Sequence, residues 1–508
     1  MGIELWLKRA EYGSRTRLPG LGSPCTTDVL IPRRLCNINS MCERKRVDIN
    51  SIVMGVSRYP DSNRGPTHYE CVALPTEPYR RCACKGKDKG KTDQNKHTNF
   101  MHQQIIKHLT DNDAYTFSCQ YYVLQTYPRA EVEYTFFDRN RTVYPPGFDE
   151  LLVEQLNYMP RVTISEEEIA FMHRRMYYLP EWYFTFLRGY RFNPGEVSVS
   201  QDEEGHLDIK IRGKWYSTIM WEMPILSIIS ELMHMLNGDI AGYNSERERE
   251  RAAEKTRRIL QNGIVLGDMG TRRRLSFEHQ NMVIETMKQV SEQGGCEDES
   301  GAFRPWTGRF TGTSNVYFAM KHNLIAIGTM SHQLIEFEEN VSGIFECNFN
   351  VMRKFSDVYD GDNGIYLYDC FGDKVFFSNL SKRMAMMFSG LRVDSGNEED
   401  QTEKIIAKYQ SLGIDPATKQ VVYSNGLNID RAIEIHKYVA GRMNDSYGMG
   451  TFLTCDVENC QPMNIVIKLT RMRITEKREW HDCVKLSCDS GKTLGNPEKC
   501  AYLLKQIG

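Results

Sequence analysis

Short runs of Val, Ile, Leu and Tyr punctuate the chain beyond residue 260. Each stops at a turn of Gly, Ser, Asp, Asn or Thr: GIVLGDMGTRRR (263–274), NLIAIGTMSH (323–332), GIYLYDC (364–370), GLRVDSG (390–396), KQVVYSNGL (419–427) and DSYGMGT (445–451). Amphipathic helices are predicted between several of them, as in EKIIAKYQSLG, where Ile405, Ile406, Tyr409 and Leu412 share one face. Successive strand-turn-helix units predict a parallel sheet, and six or so are enough for a closed or nearly closed α/β barrel. The loops after its strands would converge at one end, where a site is built from scattered sequence. Upstream, VEYTFF and the alternating LDIKIRG predict half-buried strands.

The most apolar stretch, IMWEMPILSIISELMHML at 219–236, approaches the length of a membrane span. It carries Glu222, Glu231 and His234, each costing a few kcal/mol in lipid, so a buried core helix is the better reading. SERERERAAEKTRR at 245–258 reads as a solvated helix face.

Charge separates two kinds of sequence. Residues 1–100 hold 18 Lys+Arg against 10 Asp+Glu, a balance of +8, whereas 101–508 hold 46 against 56, a balance of −10. The first hundred residues lack helical or strand periodicity and end in the polar KGKDKGKTDQNK, so little packed structure is expected there. SRYPDSNRGPTHYECVALPTEPYRR at 57–81 resembles a transfer-RNA gene translated in a protein frame, which would make Met101 the natural start and 1–100 a spurious or disordered extension. A nucleic-acid-binding arm, a zinc site on Cys71, Cys82 and Cys84, and a transit peptide are the other readings. Against them stand a diffuse charge, the lack of paired CxxC units and too many acids. With 508 residues, 41% of them hydrophobic, two or three domains are expected. Fifteen cysteines without framework spacing suit reduced thiols, and no secretory leader is seen, so a cytoplasmic protein without membrane or nucleic-acid partners is expected.

Three turns suit phosphate or ribose. SGLRVDSG offers Asp394 for sugar hydroxyls and Ser395 and Gly396 for backbone donors; GMGTFLT offers Gly448, Gly450 and Thr451 for close backbone approach; and GTRRR sets Arg272, Arg273 and Arg274 in a row suited to bidentate phosphate contacts. Each alone is equally a plain strand-to-helix connection, and it is their recurrence after consecutive strands that points to a ligand. His332 carries the same two readings: a neutral imidazole satisfied by its turn, or a nucleophile able to accept a phosphoryl group beside the Thr329 hydroxyl.

Together these motifs resemble the nicotinate phosphoribosyltransferase family from about Leu109 to the C-terminus. The resemblance rests on LTDNDAYTFS, RFNPGEVSVS, LDIKIRGKW, GTRRR, GTSNVYFA, GTMSH, LRVDSG, LGIDPATK and MNIVIKL, in that order. It implies an irregular α/β barrel (221–455), an α+β domain from 101–220, and a C-terminal segment (456–508) packing back on that domain. It also implies conversion of nicotinate and 5-phosphoribosyl-1-pyrophosphate to nicotinate mononucleotide with ATP and Mg²⁺, with no side chain assigned to the metal. By resemblance, Tyr115, Thr329 and Arg392 line the nicotinate pocket, His332 is phosphorylated, and Thr451 holds phosphoribosyl phosphate. Arg272, Asp394, Gly396 and Gly450 are carried over more broadly, with Asp394 also on the sugar side of catalysis. Related enzymes often pair, which makes a homodimer the expectation. Transfer to nicotinamide or quinolinate is the neighbouring alternative; an inactive relative or a nucleic-acid-binding protein is the distant one. Two positions depart from the pattern: Met269 stands where Phe is expected, and Asn397 where Asp is common.

Overall fold

The computed structural model describes residues 102–240, 243, 245–486 and 493–508. The expectations for 1–100 and for a start at Met101 lie outside these residues.

The strands are β1 (Glu131–Asp138), β2 (Val197–Gln201), β3 (Leu207–Lys214), β4 (Val265–Asp268), β5 (Gly295–Glu297), β6 (Phe303–Pro305), β7 (Arg309–Thr313), β8 (Ile325–Ala326), β9 (Ile365–Leu367), β10 (Gly390–Val393), β11 (Gln420–Tyr423), β12 (Asn444–Met449), β13 (Ile465–Arg473) and β14 (His481–Asp482). One sheet runs β14-β13-β1-β3-β2, and another runs β8-β7-β4-β12-β11-β10-β9. In the first, β1 pairs antiparallel with both β3 and the C-terminal β13, so the chain's end returns to its beginning. β1 alternates as predicted, burying Val132, Tyr134 and Phe136.

Every ladder in the second sheet is parallel. This is the expected irregular α/β barrel, with one strand more than the six apolar runs. β7 (RFTGT) escapes a pattern search because it holds a single large apolar residue, Phe310, and is recruited by pairing with β4. The sheet does not close by a ladder. Its edge strands are β8 and β9, and there the Thr329 hydroxyl donates to the Ile365 carbonyl at 2.7 Å. Ile405, Ile406 and Tyr409 are buried on one face of the helix Glu398–Ser411, as their spacing predicts.

Strand order reverses between β4 and β12: β7 and β8 extend from β4 on one side, and β11, β10 and β9 from β12 on the other. Loops at such a switch point diverge and leave a crevice at the carboxyl ends of the strands. The apolar stretch 219–236 forms the helix α1 (Glu222–Leu236), preceded by a short helical turn. The whole span Trp215–Leu236 is long and apolar enough to cross a membrane, yet 89% of its most apolar window is buried inside the protein.

Candidate functional site

Seven strand ends supply the polar residues at the barrel mouth, and they fall into two groups. On the β4–β7 side, β4 ends in Asp268, which accepts hydrogen bonds from the Thr313 hydroxyl (2.7 Å), Gln280 (3.0 Å) and the Gly270 amide (3.0 Å). Burial pushes its carboxyl up to about 6. Arg274 is fully buried; its guanidinium grips both carboxylate oxygens of Asp111 (2.7 and 2.8 Å) and donates to Glu231 at 2.6 Å. Arg273 donates through Nε to the Ile465 carbonyl.

The arginine row is therefore not a phosphate cluster. The short helical turn Thr271–Arg273 sends each side chain in a different direction, and only Arg272 remains at the mouth. Arg272 donates to the Tyr115 hydroxyl at 2.8 Å and stacks over its ring at 5.6 Å, while that hydroxyl donates to Glu222 at 3.1 Å. Burial raises the phenol pKa well above its ordinary value, so Tyr115 stays protonated.

The turn after β12 lies against the turn after β4, across the switch point. A Cβ on Gly448 would meet the Met269 sulfur at 2.4 Å, and one on Gly450 the Met269 carbonyl at 3.1 Å. Gly448 is small because Met269 packs on it, which also gives the unexpected methionine its place. Thr451 opens the short helix that follows Gly450, one strand over from Arg272.

The β8–β10 side is different. His332 sits at the N-terminal end of the helix α2 (Gln333–Ser342) and is 7% exposed. Its Nε2 lies 3.0 Å from Asp369 Oδ1 and 3.9 Å from Asp394 Oδ2. Asp369, in the turn after β9, is fixed in turn by the Ser395 hydroxyl at 2.5 Å. Burial, helped by the nearby Lys485 ammonium, pushes the imidazole down to about 4. Burial alone would raise the Asp369 carboxyl, but electrostatic attraction to His332 and its hydrogen bond, then the charge of Lys485 and the Ser395 hydroxyl, hold it below the usual range. A neutral imidazole donating Nε2–H to an ionised Asp369 leaves the Nδ1 lone pair as its nucleophilic atom. The helix N-terminus favours any negative charge placed there.

Arg392 on β10 donates through Nη1 to the Met330 carbonyl at 3.2 Å, while its buried Nε has no hydrogen-bond partner. Asp394 accepts from Ser424 at 2.6 Å; burial alone would raise its carboxyl pKa, but Arg392, His332 and Lys485 together lower it. Gly396 turns the chain with φ +82°, and Asn397 then caps the helix Glu398–Ser411 by accepting from the Asp400 amide at 2.9 Å. Asn caps as well as Asp, so this departure from the pattern leaves the turn intact. Gly328 brings the β8 turn against the Tyr115 backbone, where a Cβ would come within 3.3 Å of the nitrogen.

Of the nine residues singled out in the sequence, Tyr115, Thr329, His332, Arg392 and Asp394 form one chain of neighbours, and Arg272 joins it through Tyr115. Gly396 stands beside Ser395 in the same rim. Gly450 and Thr451 lie in the β12 turn against the Met269 turn, with no hydrogen bond to the His332 group among the described residues. Asp369, Lys485 and Glu222 were not anticipated. Asp369 had a signal in its position: it follows β9 as Asp394 follows β10. Lys485 and Glu222 arrive from the C-terminal segment and from α1, and carry no local mark.

Comparison with known proteins follows the same outline. Residues 264–506 match the profile described as the Nicotinate phosphoribosyltransferase (NAPRTase) family, and residues 110–230 that of its N-terminal domain. A nicotinate phosphoribosyltransferase of Desulforapulum autotrophicum is 35% identical over 403 residues, covering 79% of this chain and 99% of the relative. One from Methanosarcina acetivorans is 34% identical over 382 residues, covering 72% and 90%. The crystal structure of nicotinate phosphoribosyltransferase from Porphyromonas gingivalis is similar at 37% identity and a TM-score of 0.74, covering 80% of this chain and all of that one. The Vibrio cholerae structure gives 27% identity, a TM-score of 0.69, and coverage of 80% and 94%.

Proposed function

The chain belongs to the nicotinate phosphoribosyltransferase family, and we propose that its barrel mouth carries that family's reaction through His332, Arg392 and the residues between them. The enzyme joins nicotinate to 5-phosphoribosyl-1-pyrophosphate with the turnover of ATP. The products are nicotinate mononucleotide, pyrophosphate, ADP and phosphate, and the step belongs to pyridine nucleotide salvage.

The observation that carries the assignment is the pair of unspent valences on the β8–β10 side: the Nδ1 of His332 and the orphaned Nε of Arg392. A buried donor without a partner costs about 1–3 kcal/mol, which a ligand acceptor recovers. Nicotinate brings a carboxylate to Arg392 and a flat ring to Tyr115. Uncharged nicotinamide would leave the guanidinium facing a neutral amide and is disfavoured. Nδ1 of His332 attacks the terminal phosphorus of ATP; the N–P bond forms as the P–O bond to ADP breaks, and the ADP oxygen keeps the electron pair. Asp369 balances the positive charge that the ring gains, and the N-terminus of α2 stabilises the new phosphate. Water later cleaves the N–P bond, releasing phosphate and restoring the imidazole.

Asp394 lies next to both groups and suits the ribose, whose anomeric carbon gains positive charge as pyrophosphate leaves. Arg272, Gly396, Gly450 and Thr451 supply donors for the phosphates. For Mg²⁺ the fit falls on Asp394, since both oxygens of Asp369 are engaged by His332 and Ser395, whereas Asp394 keeps Oδ2 beyond hydrogen-bond range of His332. When bound, the ion would neutralise charge on the leaving pyrophosphate. The eight described cysteines are free thiols, which suits a reducing compartment such as the cytoplasm. The test is a substrate panel with ATP and 5-phosphoribosyl-1-pyrophosphate: nicotinate should be consumed and nicotinamide spared, and faster turnover of nicotinamide or quinolinate would refute the reading.

A further inference from the structure

Just past the β12 turn lies a second convergence of reactive groups. His234 is in the last turn of α1, and Cys455 and Cys460 bracket the loop that follows the helix Thr451–Thr454. They are 1%, 0% and 8% exposed, in a pocket walled by Leu275 with Ile240, Tyr243 and Val457 packed against it. Cys455 Sγ lies 3.3 Å from His234 Nε2 and 3.9 Å from Cys460 Sγ, and Cys460 Sγ is 3.4 Å from His234 Nδ1. One ligand atom from each residue falls within 4.8 Å of the others. Asp239 Oδ2 is 2.7 Å from His234 Nδ1.

Two of these spacings, sulfur to sulfur and Cys455 to Nε2, approach those of a coordination polyhedron. Two thiolates about 2.3 Å from one tetrahedral Zn²⁺ stand roughly 3.8 Å apart, and a thiolate and an imidazole nitrogen roughly 3.6 Å apart. At 3.9 Å the sulfurs are unbonded, yet at the separation a shared ion sets. Asp239 completes the pattern, because a carboxylate on the far nitrogen of a ligating histidine fixes its tautomer and aims the other lone pair at the metal. Closure onto one ion needs the Cys460 sulfur to move from beside Nδ1 toward the Nε2 edge of the ring.

We infer that His234, through Nε2, with Cys455 and Cys460 forms a binding site for a soft divalent cation, Zn²⁺ by the ligand set, with Asp239 as the orienting residue. Three protein ligands leave a fourth position for water. The ion ties α1, which carries Glu222 to the mouth, to the segment directly behind Thr451. It is a brace for the β12 turn, separate from the residues that meet substrate.

The full chain, purified without chelator, should carry about one more Zn²⁺ per chain than Cys460→Ser or the Cys455→Ser/Cys460→Ser pair, measured by elemental mass spectrometry. Loading with Co²⁺ should give a near-ultraviolet sulfur-to-cobalt absorption that the double variant has lost. Because the Co²⁺ spectrum is also read on the unaltered chain, it decides even if a variant folds poorly. Equal metal content in all chains, or no such band in the unaltered chain, overturns the site. So does finding Cys455 and Cys460 joined as a disulfide in the freshly purified protein by non-reducing peptide mapping.

Discussion

The two sides of the barrel mouth are built from the same residue types and end in opposite states. Around β4 and β7, Asp111, Asp268, Arg274, Asn315 and Gln280 satisfy one another in full burial. Around β8, β9 and β10, His332, Arg392 and Asp394 are held in place by a few bonds each and keep part of their capacity unspent. A saturated polar cluster positions backbone; an unsaturated one waits for a ligand. Saturation, more than residue type, separates scaffold from site here.

Variants on each side should sharpen this contrast. Arg274→Met strands Asp111 and Glu231 as buried charges, and a loss of about 3–5 kcal/mol in unfolding free energy is expected by denaturant titration. Asp369→Asn keeps the shape but removes the charge that opposes the histidine cation, so phosphorylation by ATP should slow on the order of 10²-fold with unfolding unchanged. Arg392→Gln should raise the KM for nicotinate about tenfold, or 1.4 kcal/mol, and narrow the preference over nicotinamide; a similar loss of stability without that KM change would place Arg392 on the scaffold side.

The smallest effect is one of pH. An ordinary imidazole gains its proton below about 6.5 and would lose nucleophilicity there. With burial holding His332 near 4, the neutral form persists on lowering the pH and is lost only as the pH approaches that value. Phosphoenzyme formation should therefore change less than about twofold between pH 6 and 8, and a rise following an ordinary imidazole titration would contradict the burial.

Legibility in the sequence follows the same division. The β8, β10 and β12 turns stand out because an apolar run ends abruptly at glycine, and the residues marked there lie at or just past the carboxyl ends of those strands. β7 was invisible because Arg-Phe-Thr-Gly-Thr lacks the run. Arg274 was misplaced because its burial is decided by Asp111, 163 positions away, and Glu231, 43 away, and no local pattern records such partners. Asp369 escaped because Tyr-Asp-Cys carries no glycine, although its place after β9 equals that of Asp394 after β10. Gly448 read as a phosphate-loop glycine, whereas the Met269 side chain above it is what requires the missing Cβ.

The most direct measurement is the position of the phosphate on the enzyme. After brief exposure to ATP, phosphopeptide mapping with phosphorus NMR should place the group on Nδ1 of His332, the nitrogen that Asp369 leaves free, and His332→Ala should remove the signal. Phosphate on Nε2, or on any other residue, would contradict the geometry on which the mouth's assignment rests.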